Sequence, residues 1–143
     1  APINKEAIKA GGFNYPGHTE LLKERTHSEK VVMLMVGDKL RVAFVTSHVA
    51  LKDVPQLISV DNIVSTIKIA DKGLKEFFKF ESPRIAVCGL NPHSGEAGRF
   101  GDEELNIIIP AINEAKSKGV IDYLIKSNHK LEDIVDSIKS YIK

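Results

Sequence analysis

The stretch from Arg84 to Leu105 limits the fold most tightly. Arg84-Ile85-Ala86-Val87-Cys88 is a short apolar run and reads as a buried strand of a mainly parallel sheet. Asp102-Glu103-Glu104-Leu105 reads as the capped, acidic first turn of a helix. Between them lie four glycines (Gly89, Gly95, Gly98, Gly101), together with His93 and Glu96. Glycine gives up more backbone entropy on ordering than any other residue, so such a cluster is costly backbone. A loop at the carboxyl end of a strand is where open α/β sheets hold ligands. It is equally an ordinary Gly-rich connection from strand to helix. The spacing is neither GxGxxG nor a GxxxxGK loop, so neither phosphate-binding fingerprint is present.

A chain of 143 residues is one domain long and able to bury a real core. Its net charge of +1 gives no electrostatic reason to expect nucleic acid or an anionic membrane as a partner. Cys88 is the only cysteine, which excludes an intrachain disulfide and a cysteine-based zinc cluster, and its place in an apolar strand predicts burial. No apolar run reaches the length of a membrane span and no signal-peptide pattern opens the chain, so a cytoplasmic setting is expected. The chain begins at Ala1 without an initiator Met and is read as a processed or cut piece.

Along the chain, Asn4 is positioned to cap a short helix over 5–10 that Gly11-Gly12 stops. Phe13-Asn14-Tyr15-Pro16-Gly17 is a turn delivering His18-Thr19-Glu20 to a second helix at 21–26. His18 and Thr19 then lie near a helix N-terminus, which favours an anion, or else Thr19 is merely a cap and His18 a surface residue. Residues 31–36 and 40–46 read as strands joined by a tight hairpin at Gly37-Asp38. The second runs into Ser47-His48-Val49, placing His48 beyond a strand end as His93 is placed beyond another. Two such histidines, with a Glu and a Gly-rich loop nearby, suit a metal site. A lone histidine in that position is more often hydrogen-bonded structure.

An amphipathic helix is expected from about Asp61 to Phe80, with Ile63, Ile67, Ala70, Leu74, Phe77 and Phe78 as its core face. After the central loop, 103–118 reads as a helix with Pro110 as a kink, and 120–126 and 131–142 as further helices. His27 and His129 sit in polar segments and read as solvated. The order of elements makes the class α/β, a sheet with flanking helices.

Four blocks carry a resemblance: Ala1-Pro2-Ile3-Asn4-Lys5, Pro16-Gly17-His18-Thr19-Glu20, Thr46-Ser47-His48-Val49-Ala50-Leu51-Lys52-Asp53-Val54 and Gly89-Leu90-Asn91-Pro92-His93-Ser94-Gly95-Glu96. In series, running to about Gly119, they resemble the 4-hydroxythreonine-4-phosphate dehydrogenase family of vitamin B6 biosynthesis. The resemblance implies an NAD-linked, divalent-metal-dependent homodimer with a fold like that of isocitrate and isopropylmalate dehydrogenases. It implies oxidation and decarboxylation of 4-phosphooxy-L-threonine in a cleft near the subunit interface. His48 and His93 match two of the family's three metal-binding histidines, and His18 and Thr19 match a substrate-binding pair. Imidazole ligands suit Zn²⁺, with Mg²⁺ or Co²⁺ as alternatives. Glu96 is a candidate partner for orienting one imidazole. Catalytic and NAD-contacting residues are not assigned.

The family's third metal histidine lies in a Tyr-His-Asp-Gln-Gly segment that this sequence lacks, and His129 has no such context. The expected division is therefore a central metal- and substrate-binding domain at 1–119 and a helical tail at 120–143. The isolated chain is expected to be inactive. The alternatives are a related dehydrogenase acting on another phosphorylated sugar acid, and a non-catalytic piece that only folds or dimerises.

Overall fold

A computed structural model describes residues 4–117 except 16 and 39. The helices expected at 120–126 and 131–142, the helical tail expected at 120–143 and His129 lie outside the described residues. Helix α1 (Lys5–Ala10) starts where Asn4 accepts hydrogen bonds from the amides of Glu6 and Ala7, at 2.9 and 3.0 Å. Helix α2 spans His18–Arg25. Its cap is Gly17 rather than Thr19, and the first helical bond runs from Leu21 N–H to Gly17 O. His18 and Thr19 therefore sit inside the first turn.

The hairpin forms as expected but with shorter strands, β1 (Leu34–Val36) against β2 (Arg41–Ala43), antiparallel, with Met35 opposite Val42. Gly37 N–H donates to Leu40 O at 2.9 Å and closes the turn. A single turn at Leu51–Asp53 leads into the short helix α3 (Val54–Leu57). Helix α4 (Val60–Glu76) follows, capped by Ser59, whose hydroxyl accepts the Asn62 amide. Lys30 reaches from the segment before β1 to Asn62 O, Asn62 Oδ1 and Ser65 Oγ, tying that segment to the first turn of α4.

The core lies between α4 and α5 (Ile109–Ser117), which continues from a wider turn at Glu104–Ile108. Ile63, Val64 and Ile67 of α4 meet Ile108, Ala111, Ile112 and Ala115. Ala111 and Ala115 are fully buried one turn apart, and their small side chains let the two helices approach closely. Pro110 stands at the join of the wide turn and α5, where its missing N–H is tolerated.

Three expectations are corrected. Residues 84–88 are extended but belong to no sheet among the described residues, whose strands form a two-stranded antiparallel pair only. They alternate instead: Ile85 and Val87 pack against the α4–α5 core, while Arg84, Ala86 and Cys88 point away. Cys88 is consequently exposed, because it falls on the outer phase of that alternation. Helix α4 ends at Glu76, so Phe77 leaves the core stripe and is 79% exposed. Lys79 adopts a left-handed φ of 60°, which turns the chain and stacks Phe78 and Phe80 around the Arg41 guanidinium at 4.8 and 5.0 Å. The fold is helix-rich α/β, and no helix among the described residues is long and apolar enough to cross a membrane.

Candidate functional site

Two of the four sequence blocks meet at the start of α2. The His48 Nδ1 lies 3.5 Å from Glu20 Oε1. The other oxygen of that carboxylate, Oε2, is buried and has no hydrogen-bond partner. Both side chains sit over the bare Cα of Gly17. A Cβ there would fall 2.9 Å from His48 Cε1 and 3.1 Å from Glu20 Oε2. Gly17 thus serves by close approach, since its extended φ of −166° is open to any residue. His48 and Glu20 remain 36% and 33% exposed, so their pairing adds little stability. His48 itself holds a left-handed φ of 58°.

His18 is exposed and Thr19 half-buried on the first turn of α2. A shallow cleft beside them is lined by Lys5, Ile8, Tyr15, Gly17, His18 and Leu21. Lys5 and His18 offer N–H donors there, which suits an anion at a helix start, while the Tyr15 hydroxyl is engaged by the Glu24 carboxylate.

His93 is carried by an unusual piece of backbone. From His93 to Gly98 every residue has positive φ: 52°, 52°, 78°, 43°, 57° and 92°. Four of the six are not glycine, and left-handed geometry costs an L-residue roughly 1–2 kcal/mol. A buried acid holds the turn. Glu104, 3% exposed, accepts the amides of Leu90 at 2.8 Å and Asn91 at 2.6 Å through Oε1, and Asn91 Nδ2 at 2.9 Å through Oε2. Asn91 Nδ2 also donates to Glu103 at 2.6 Å. Burial pushes the Glu104 carboxyl up, but the bonds from the Asn91 side chain and from the backbone amides of Asn91, Glu104 and Leu90 outweigh it and hold it below its ordinary value. Backbone strain that the surroundings overdetermine in this way clusters at functional sites.

The His93 ring faces Phe100 at 6.2 Å between centroids. Glu96 does not serve an imidazole. Its carboxylate meets Arg99 at 3.3 Å on the exposed side of the turn, and the carboxylate beside a histidine is Glu20. His27 is exposed, as expected. Among the described residues no group of three or more His, Cys, Asp or Glu side chains gathers as a metal cluster. Imidazole nitrogens are nevertheless ligands suited to a late first-row divalent ion, and the unpartnered carboxylate oxygen of Glu20 lies beside one such ring, that of His48.

Glu20 and Glu104 had escaped assignment. Glu20 belongs to the quoted block Pro16–Glu20 but lies far in sequence from His48, and Glu104 looks like any acidic residue in a first helical turn.

Comparison with known proteins points to a family of dehydrogenases. The sequence profile described as "Pyridoxal phosphate biosynthetic protein PdxA" matches residues 1–123. A 4-hydroxythreonine-4-phosphate dehydrogenase of Geobacter metallireducens is 51% identical over 120 residues, covering 84% of this chain and 35% of that protein. A D-threonate 4-phosphate dehydrogenase of Salmonella typhimurium is 49% identical over 123 residues, covering 86% and 37%. The crystal structure of a 4-hydroxythreonine-4-phosphate dehydrogenase from Klebsiella pneumoniae superimposes with a TM-score of 0.76 at 41% identity, covering 85% of this chain and 37% of that one. The chain spans just over a third of the length of these relatives. With its motifs, its fold and its profile in agreement, the chain belongs to the family described as pyridoxal phosphate biosynthetic protein PdxA.

Proposed function

We propose that the chain supplies the metal- and substrate-binding part of an NAD-dependent, divalent-metal-dependent dehydrogenase. The enzyme oxidises and decarboxylates 4-phosphooxy-L-threonine in vitamin B6 biosynthesis, as a cytoplasmic homodimer with the wider architecture of isocitrate and isopropylmalate dehydrogenases. The observation that carries this reading is the junction of the His18-Thr19-Glu20 block with His48 over Gly17, which sets the proposed substrate pair beside a proposed metal ligand.

In this reading His48 and His93 bind the cation, Zn²⁺ by preference of imidazole, with Co²⁺ or Mg²⁺ as alternatives. A cation held there would supply Lewis acidity for oxidation of the secondary alcohol and for loss of carbon dioxide from the resulting β-keto acid, with NAD as the hydride acceptor. His18 and Thr19, with Lys5 along the cleft beside His18, bind and orient the phosphorylated substrate. The strained turn over 93–98, pinned by Glu104, fixes where His93 is presented. Two of the family's three metal histidines match here, so the 143 residues alone are expected to fold without turning over substrate.

A second substrate is favoured by one observation: a D-threonate 4-phosphate dehydrogenase is 49% identical, against 51% for a 4-hydroxythreonine-4-phosphate dehydrogenase. The two acids share the phosphate that the α2 cleft would bind. Incubating the protein as its gene encodes it with NAD, Zn²⁺ or Co²⁺ and each acid in turn, and following NADH absorbance, tests both. Turnover of 4-phosphooxy-L-threonine supports the first reading and turnover of D-threonate 4-phosphate alone the second. Loss of neither His48 nor His93 affecting metal content would sink both.

A further inference from the structure

We propose that Glu20 is the positioning residue for His48, engaging the ring through Nδ1 so that Nε2 is the nitrogen left with its lone pair for a cation. The inference rests on His48 being a metal ligand and names what aims it.

Four observations converge on the pair. The Nδ1 to Oε1 separation is 3.5 Å, a distance that side-chain rotation closes to a hydrogen bond, and such contacts commonly tighten only when a site is filled. The second oxygen, Oε2, is buried without a partner, so the carboxylate is not there to satisfy local backbone. The ring and the carboxylate both occupy the space that a Cβ on residue 17 would fill, 2.9 Å from Cε1 and 3.1 Å from Oε2. His48 is held at a φ of 58°, a conformation that needs something to secure it. A metal-ligating imidazole characteristically donates its other ring N–H to a carboxylate or carbonyl, which fixes the tautomer and makes the ligating nitrogen more basic. Glu96, the other candidate, is spent on Arg99.

The test uses the protein as its gene encodes it and Co²⁺ or Zn²⁺ as probe, titrated by calorimetry and by the visible absorption of bound Co²⁺. Glu20→Gln preserves shape but offers an amide where the carboxylate stood. It should weaken cation affinity about 10–100-fold, the usual effect of losing such a partner, and change the Co²⁺ spectrum, with circular dichroism unaltered. Gly17→Ala should weaken affinity as well, by displacing the ring. Wild-type affinity in Glu20→Gln would overturn the inference alone, provided His48→Ala loses the ion. Retention of the ion by His48→Ala would overturn the metal-site reading together with it. Should Glu20→Gln fail to fold, long-range ¹H–¹⁵N spectra of the metal-free wild type decide. A proton on Nδ1 of His48 supports the proposal and a proton on Nε2 overturns it.

Discussion

Glu104 takes hold of Asn91 twice, its Oε1 accepting the backbone N–H at 2.6 Å and its Oε2 the side-chain Nδ2 at 2.9 Å. The same Oε1 accepts Leu90 N–H, so one buried carboxylate satisfies three donors where the extended segment ends and the strained turn begins. Glu104→Gln would put a donor against Asn91 Nδ2. The cost is expected to be about 1–3 kcal/mol in urea denaturation, the range for a buried group left unsatisfied. Near-neutral behaviour would mean that the turn is held elsewhere.

That carboxylate also sets a pH dependence. Its folded-state pKa lies below the ordinary 4.5, so its contribution is fully present above that value and lost as pH falls through the lower folded value. The stability gap between wild type and Glu104→Gln should be constant from pH 7 to 5 and narrow below 4.5. A gap that widens on acidification would contradict the sign.

The glycines of this region are not equivalent. A Cβ on Gly95, at φ 78°, would meet Gly101 O at 2.7 Å and Glu104 Oε2 at 2.9 Å, whereas one on Gly73, inside α4, would meet only Phe77 Cδ2 at 3.9 Å. Gly95→Ala should destabilise by more than the roughly 1–2 kcal/mol of left-handed strain alone. Gly73→Ala should stabilise by about 0.5–1 kcal/mol through helix propensity. Thermal unfolding of the two variants side by side checks the contrast.

In the core, Ile112 is 1% exposed and Ala111 fully buried against α4. Ile112→Ala is expected to cost about 2–5 kcal/mol, and Ala111→Leu about 1–3 kcal/mol by forcing the helices apart. Chemical denaturation curves with unchanged midpoints would show that α4 and α5 do not pack as described.

His18→Ala should raise the substrate concentration needed for half-maximal rate while the bound metal is retained. Steady-state kinetics beside metal analysis separates these effects. Unchanged substrate dependence would remove His18 from the substrate site.

Local signals were readable wherever the cause is local. Asn4 and Ser59 cap their helices because short polar side chains reach the free amides of the first turn, and Gly37-Asp38 closes the hairpin. The α4 stripe from Ile63 to Ala70 follows helical spacing. What escaped was set at a distance. The run at 84–88 looks uniformly apolar, yet only the core beneath it decides that Ile85 and Val87 turn in and Cys88 turns out. Helical spacing carried the stripe on to Phe77, but Arg41, from strand β2, draws Phe78 and Phe80 instead. Of the site, the histidines were visible as residues, while the Glu20 contact with His48 and the left-handed turn over 93–98 exist only once the chain is folded.

The central claim is that one divalent ion binds His48 and His93 together. Anomalous diffraction from crystals of the gene-encoded protein soaked in Zn²⁺ measures this directly. The account predicts a single strong peak with a ring nitrogen from each histidine at about 2.0–2.1 Å. A peak touching only one of these rings, or neither, would contradict it.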